Sequence, residues 1–180
     1  MGHTHTVRVS DPGMSFSAAH FVITSDGLEP LHGHNYAVSV EITSQLCHDG
    51  MVVDFRHVKR IVRSICGELD HRILLAERSQ AMKIRVSDSE VQVHYQNRHY
   101  VFPRSDCVLL PIEATTAELL AQYIADRMKH AIQEASGCPA GEYLVCVGET
   151  PQCQGCAHTS WFAQQEAQRS GRAPMTTTSK

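Results

Sequence analysis

The spacing of apolar residues alternates along the chain between a period of two, which predicts strands, and a period near 3.6, which predicts helices. In the stretch 35–43, apolar residues alternate with polar ones at Tyr36, Val38, Val40 and Ile42. We therefore predict a strand with one buried face. Similar β character is found at residues 7–10, 14–22 and 143–147. The sequence Asp11-Pro12-Gly13 predicts a turn between the first two of these.

Two stretches have helical spacing. Residues 55–67 form an amphipathic pattern, and Asp54 before them is suited to cap the helix N-terminus. A second helix is predicted to open at Thr115-Thr116-Ala117-Glu118, which matches a capping box of Thr115 with Glu118. Gly137-Cys138-Pro139 is expected to end it. Its apolar face comprises Leu119, Leu120, Tyr123, Ile124, Met128 and Ile132.

Between the two helices, residues 82–102 contain short β-like runs, which predict an inserted β-hairpin or small meander within an insertion of about 79–110. The element order favours an α+β domain in which an antiparallel sheet carries both helices on one face. We expect a single domain at 1–163 and a disordered polar tail at 164–180. Such a sheet has open edges, which an oligomer would cover.

Composition narrows the functional classes. The net charge of −3 and pI near 6.4 make nucleic acid an unexpected partner. A membrane span is not expected, because the sequence has no run of 18 apolar residues, and its first ten residues lack the apolar core of a secretion signal. The seven irregularly spaced cysteines suit reduced thiols better than a disulfide framework, so we predict a cytoplasmic protein.

Three histidines suggest a metal site. His32 and His34 are two residues apart at the entrance of the strand 35–43, so both imidazoles can point to one side. His20 ends an earlier β-like stretch and can reach the same point if the two strands pair. Three imidazoles without a fourth protein ligand are typical of a catalytic zinc site with an open position. An isolated HxH sequence is also compatible with a surface pair.

The chain resembles the superfamily of 6-pyruvoyltetrahydropterin and 6-carboxytetrahydropterin synthases over most of residues 5–162. The resemblance rests on six motifs in the same order: FSAAH at 16–20, HGHNY at 32–36, DGMVVDF at 49–55, LDH at 69–71, ATTAELLA at 114–121 and GET at 148–150. It implies the tunnelling fold, with a four-stranded antiparallel sheet and two helices. It also implies trimers or hexamers with active sites at subunit boundaries.

The resemblance further implies roles for individual residues. His20, His32 and His34 would bind Zn²⁺. Glu149 would anchor the pterin ring through two parallel N–H bonds, with Thr115 and Thr116 adding contacts through backbone groups. Asp70 and His71 match the family's catalytic pair, in which Asp orients a His that shuttles protons.

One departure from the family concerns the residue before the histidine pair. Most members carry a cysteine in the spacing Cx3HGH or Cx5HGH. In this chain those two positions are Leu28 and Asp26, and a carboxylate, Glu29, is present instead. The pattern E-x-x-H-G-H resembles a branch that cleaves the side chain of 7,8-dihydroneopterin triphosphate to 6-hydroxymethyl-7,8-dihydropterin. We therefore predict a zinc-assisted retro-aldol lyase in which Glu29, or the pair Asp70–His71, removes a hydroxyl proton.

Several alternatives remain open from the sequence. Glu29 can instead be a loop carboxylate or a group that orients a metal ligand. The enzyme can be a 6-carboxy- or 6-pyruvoyltetrahydropterin synthase in which Cys107 or Cys153 replaces the missing cysteine. A third alternative is a pterin- or purine-binding protein without catalysis. The sequence Cys153-Gln154-Gly155-Cys156 indicates ordinary thiols more than a second metal site or a disulfide.

Overall fold

A computed structural model describes residues 3–47 and 49–162 of the chain. The predicted tail at 164–180 lies outside the described residues. The strands are β1 (His5–His20), β2 (Ile23–Thr24), β3 (Gly27–Leu28), β4 (His32–Ser44), β5 (Arg72–Ala76), β6 (Lys83–Val86), β7 (Glu90–Tyr95), β8 (Arg98–Pro103), β9 (Cys107–Leu110), β10 (Ala140–Thr150) and β11 (Cys153–Phe162). The helices are α1 (Phe55–Leu69) and α2 (Ala117–Ser136), and neither is long and apolar enough to cross a membrane.

The main sheet has six strands in the order β11-β10-β4-β1-β5-β9. The first four pair antiparallel, as predicted. The sheet has two strands more than the four predicted, however, because β5 pairs parallel to β1 and β9 pairs parallel to β5. The sheet is therefore mixed, and its edge strands are β11 and β9. The fold class is α+β with both helices packed into one core against the sheet.

The sequence Asp11-Pro12-Gly13 does not separate two strands. It lies inside β1, where the pairing register with β4 shifts between Ser10 and Ser15. The Asp11 carboxylate accepts a hydrogen bond from the Gly13 amide and pairs with Lys59 and Arg63 of α1. These contacts hold the pKa of Asp11 well below its usual range. The predicted turn is thus a β-bulge pinned to the helix.

The helix signals are largely confirmed. Asp54 caps α1 by accepting a hydrogen bond from the Arg56 amide at 2.8 Å. Gly137 ends α2 with a left-handed φ of 63°. The capping-box prediction is off by one residue, because the N-cap is Thr116, whose hydroxyl accepts from the Leu119 amide. The Thr115 hydroxyl instead donates to the Phe21 carbonyl.

The insertion forms a three-stranded antiparallel meander, β6-β7-β8, as one of the two sequence alternatives predicted. Its inner face builds a second, smaller core with the segment that follows β1 and with β5. The buried apolar residues of this core are Phe21, Leu28, Leu75, Ala76, Met82, Val91, Val93 and Cys107.

The cysteines depart from the expectation of seven reduced thiols. Cys47 and Cys138 are bonded, and so are Cys146 and Cys156, which face each other across β10 and β11. Cys66, Cys107 and Cys153 are free, and Cys153 alone of these is exposed. The expectation failed because the cross-strand register that brings Cys146 opposite Cys156 is not visible in the sequence spacing.

Candidate active site

The pairing of β1 with β4 brings three histidines to one point. His20 lies directly opposite His32, and Ala18 opposite His34. Since His32 and His34 are two residues apart on β4, their side chains point to the same face of the sheet. The Nε2 atoms of His20 and His32 are 3.1 Å apart, and all three rings offer a nitrogen within 4.8 Å of the others. The structure therefore brings together the three predicted metal ligands.

Backbone carbonyls fix the orientation of two of these rings. Nδ1 of His20 lies 2.8 Å from the Thr115 carbonyl, and Nδ1 of His32 lies 2.8 Å from the Pro30 carbonyl. A carbonyl only accepts hydrogen bonds, so each Nδ1 carries the proton and each Nε2 keeps its lone pair. Burial lowers the pKa of His20, which favours the neutral ring that a metal ligand needs.

This arrangement fits a bound metal ion. Two Nε2 lone pairs that face each other at 3.1 Å repel unless a cation lies between them. Nitrogens about 2.0–2.1 Å from a tetrahedral Zn²⁺ are separated by about 3.3 Å, close to the distance found. The third nitrogen, Nε2 of His34, is buried without a hydrogen-bond partner in the described part of the chain. A metal would satisfy it.

Glu29 lies beside this centre, in the loop between β3 and β4. Its carboxylate is 4.0 Å from Nε2 of His32, and its side chain is 46% exposed. Its amide donates to the Val22 carbonyl at 2.9 Å, which closes the loop 22–29 at its base. A carboxylate at this position is close enough to act on a group bound at the histidines.

One cavity joins Glu29 to other predicted site residues. Glu149, near the end of β10, has its carboxylate 3.8 Å from Nε2 of His34. Thr116 lies across the same cavity, whereas the hydroxyl and carbonyl of the buried Thr115 are already engaged by Phe21 and His20. The polar side chains of its lining are those of Glu29, His32, Thr116, Glu118, Glu149, Gln152, Cys153 and Gln154.

His71 of the pair Asp70–His71 lines a different cavity, together with His34. The Asp70 carboxylate accepts from the Ser17 amide at 2.7 Å and pairs with Nδ1 of His71 at 2.9 Å. The Ser17 hydrogen bond and the neighbouring imidazole lower the pKa of Asp70. His71 has a φ of 58°, an unusual backbone conformation for a residue with a side chain. Within one chain the pair and Glu29 thus approach the histidines from separate cavities.

Sequence reasoning did not find the residues that hold these groups in place. Ser17 orients Asp70, and Thr115 orients His20 through backbone atoms, for which the sequence carries no signal. Of the two candidate thiols, Cys153 lines the Glu29 cavity, whereas Cys107 is buried in the second core. Tyr36 is fully buried beside the histidines, and its hydroxyl has no hydrogen-bond partner in the described residues.

An α+β fold in which three strand-borne imidazoles meet beside acidic side chains is suited to an enzyme that binds a metal ion. The sequence model of the 6-pyruvoyl tetrahydropterin synthase family matches residues 12–157, and the chain belongs to this family. A Methanocaldococcus jannaschii relative with the provisional name 6-carboxy-5,6,7,8-tetrahydropterin synthase is 39% identical over 123 residues, which cover 66% of this chain and 76% of the relative. A dihydroneopterin monophosphate aldolase of Pyrococcus furiosus is 40% identical over 60 residues, 33% of this chain and 51% of the aldolase.

Solved structures agree with the fold. The 6-pyruvoyl tetrahydropterin synthase of Plasmodium falciparum is 30% identical, with a TM-score of 0.80 over 87% of this chain and 98% of its own. A Plasmodium vivax enzyme of the same name is also 30% identical, with a TM-score of 0.79 over 87% of this chain and 98% of its own. In that structure a glutamate, described as a catalytic residue, is replaced by alanine. The similarity confirms the predicted fold class.

Proposed function

We propose that the protein is a zinc-dependent pterin lyase that cleaves the side chain of 7,8-dihydroneopterin triphosphate, or of a close relative, to give 6-hydroxymethyl-7,8-dihydropterin. The observation that carries the proposal is the position of Glu29, 4.0 Å from a nitrogen of the histidine centre, in a chain that has Leu28 and Asp26 at the two positions where the family's cysteine is expected. A carboxylate accepts a proton without forming a covalent adduct, which suits a retro-aldol reaction.

The comparisons support this choice between reactions. The Pyrococcus furiosus relative is named as an aldolase of dihydroneopterin monophosphate. The Plasmodium vivax enzyme has a glutamate that is named as a catalytic residue. We assign the corresponding role in this chain to Glu29.

The residues act as follows in the proposed reaction. Glu149 holds the aminopyrimidinone edge of the pterin by two parallel hydrogen bonds, and Thr116 contributes at the same cavity wall. Zn²⁺ held by His20, His32 and His34 would supply Lewis-acid stabilisation of negative charge on the side-chain oxygens. Glu29 takes the proton of the hydroxyl on the second side-chain carbon. The bond to the first carbon then breaks, its electrons pass to the pterin ring, and an aldehyde leaves.

The first side-chain carbon must then receive a proton. His71, oriented by Asp70, is the proposed donor, because its imidazole is exposed and its Nδ1 is tied to the carboxylate. Since His71 and Glu29 line separate cavities of one chain, we propose that sites are completed in a trimer or hexamer, in which these cavities face neighbouring subunits.

A second candidate is a 6-carboxytetrahydropterin synthase, the provisional name of the Methanocaldococcus jannaschii relative. The specific observation in its favour is the free, exposed thiol of Cys153 in the Glu29 cavity. In this alternative Cys153 takes the place of the missing family cysteine. Cys107 is a weaker substitute because burial raises the pKa of its thiol.

Product identification separates the two candidates. We would incubate zinc-loaded protein, Glu29→Gln and Cys153→Ser with dihydroneopterin triphosphate and identify the pterins by mass spectrometry. The proposal predicts 6-hydroxymethyl-7,8-dihydropterin from the native protein and from Cys153→Ser, and a loss of about 10²-fold or more with Glu29→Gln. A 6-carboxy or 6-pyruvoyl product that disappears with Cys153→Ser would favour the second candidate. Full turnover by Glu29→Gln would refute the role of the carboxylate.

A further inference from the structure

The inserted meander packs directly against the loop that carries Glu29. Val91 and Val93 of β7 are fully buried in the same small core as Phe21, which precedes that loop, and Leu28, which belongs to it. Phe21 also meets Tyr100 of β8, with ring centroids 4.8 Å apart. The insertion therefore packs against one side of residues 22–29.

A charged residue of the meander also contacts this loop through a hydrogen bond. Arg98, the first residue of β8, donates from Nη1 to the carbonyl of Leu28 at 2.7 Å. The Leu28 carbonyl belongs to the peptide group whose nitrogen is the amide of Glu29. The guanidinium is thus bonded to the peptide unit next to the Glu29 side chain.

The loop's other contacts are short-range ones, such as the Thr24 hydroxyl, which donates to the Gly27 carbonyl at 3.4 Å and accepts from the Asp26 amide at 3.2 Å. Its strands β2 and β3 are two residues each and form only the pairs Ile23 with Leu28 and Thr24 with Gly27. An isolated two-stranded hairpin of ordinary length is already marginal in water. Gly27 has a φ of 114°, and the Tyr95 hydroxyl of the meander lies over it.

We propose that the meander of residues 83–103 is a brace for the loop 22–29, and that Arg98 is a positioning residue for Glu29. The inference rests on the proposed role of Glu29 as the base. A general base must lie within hydrogen-bond reach of its proton, and displacement by about 1 Å can cost about 10²-fold in rate. A peptide bonded on one side to Val22 and on the other to Arg98 meets this requirement.

The test compares Arg98→Ala with a matched control on the same small sheet. Arg85 of β6 is exposed and has no hydrogen bond to the loop within the described ranges, so Arg85→Ala removes an equal side chain from the same meander without removing a contact to the loop. Zinc content and the thermal midpoint of all variants would be measured first. Arg98→Lys is the conservative variant, since its ammonium can still donate one hydrogen bond to a carbonyl.

The inference predicts that Arg98→Ala lowers kcat about tenfold or more with dihydroneopterin triphosphate, while KM and zinc content change less than about twofold. Arg98→Lys should recover part of the loss, and Arg85→Ala should match the native protein. Hydrogen exchange should show faster exchange at the Glu29 amide in Arg98→Ala, a readout independent of turnover.

A double variant distinguishes failure of the brace from failure of the proposed function. If Arg98 acts through Glu29, adding Arg98→Ala to Glu29→Gln should cost less than about twofold further activity. Equal kcat in Arg98→Ala and Arg85→Ala, with Glu29→Gln inactive, would overturn the brace alone. Full activity of Glu29→Gln would overturn the proposed function, and the change in exchange at the Glu29 amide would then still report on the brace.

Discussion

Gly155 allows the backbone of β11 to approach the backbone at the start of α2, beside the candidate site. Replacement of Gly155 by alanine therefore tests how closely the strand packs against the helix. Gly155 lies on β11 beneath the first turn of α2. A Cβ at this position would lie 2.3 Å from the Glu118 amide nitrogen and 2.5 Å from the Ala117 carbonyl carbon. Both neighbours are backbone atoms of a helix N-terminus, so neither can rotate away as a side chain does.

The size of the effect follows from these distances. An ordinary contact begins near 3.4 Å, so the helix start and the strand must separate by about 1 Å. Overpacking of this kind costs about 1–3 kcal/mol. The same shift displaces Thr116, which lines the Glu29 cavity, so ligand binding should weaken as well.

Gly67→Ala in α1 is a control, because it makes the same glycine-to-alanine substitution at a position without a close contact. Gly67 is exposed in the helix, and a Cβ there would meet nothing within 4 Å, so Gly67→Ala should stabilise by about 0.5–1 kcal/mol. Urea denaturation of both variants measures the free energy of unfolding. Gly155→Ala as stable as the native protein would refute the close approach of β11 to α2.

Three further predictions concern the proposed catalytic pair Asp70–His71 and the thiols. His71→Gly should raise the free energy of unfolding by up to about 1 kcal/mol, because glycine adopts the positive φ without strain. Urea denaturation measures this change, and a lower free energy of unfolding would count against the backbone conformation. Turnover should fall, because the imidazole is lost. The lowered pKa of Asp70 means that its carboxylate stabilises the fold above its ordinary pKa and that this contribution is lost on acidification. Native protein should therefore lose more unfolding free energy than Asp70→Asn between pH 6 and pH 3, and parallel curves would contradict this. Protein purified without reductant and then denatured should titrate three thiols, and in the native state iodoacetamide should modify Cys153 before Cys66, whose pKa burial raises to about 12; seven thiols would restore the original expectation of a fully reduced chain.

Local patterns in the sequence predicted the parts of the site that depend on one strand or one helix end. The alternation of β4 places His32 and His34 on one face, and Asp54 and Gly137 bound their helices through contacts within a few residues. The convergence of His20 on the pair required only that β1 and β4 pair, which a shared buried face favours.

Elements without a local signal were missed. β5 and β9 are short apolar runs of five and four residues, whose spacing does not distinguish a strand from a helix end or a loop. The buried face of β11 carries Gly155, Ala157 and Thr159 before Trp161, small residues that allow α2 to approach but give little hydrophobic alternation. The neighbouring threonines 115 and 116 offer two equivalent caps, and only the three-dimensional contact of Thr115 with Phe21 selects between them.

In the proposed function, Glu29 acts on the pterin side chain beside a metal held by three histidines. A crystal structure of the zinc-loaded protein with a bound dihydroneopterin compound would show whether it does. We expect Zn²⁺ on Nε2 of His20, His32 and His34, and a Glu29 carboxylate within about 3.2 Å of a side-chain hydroxyl. A pterin whose side-chain carbons face the Cys153 sulfur, with Glu29 turned to solvent, would contradict it.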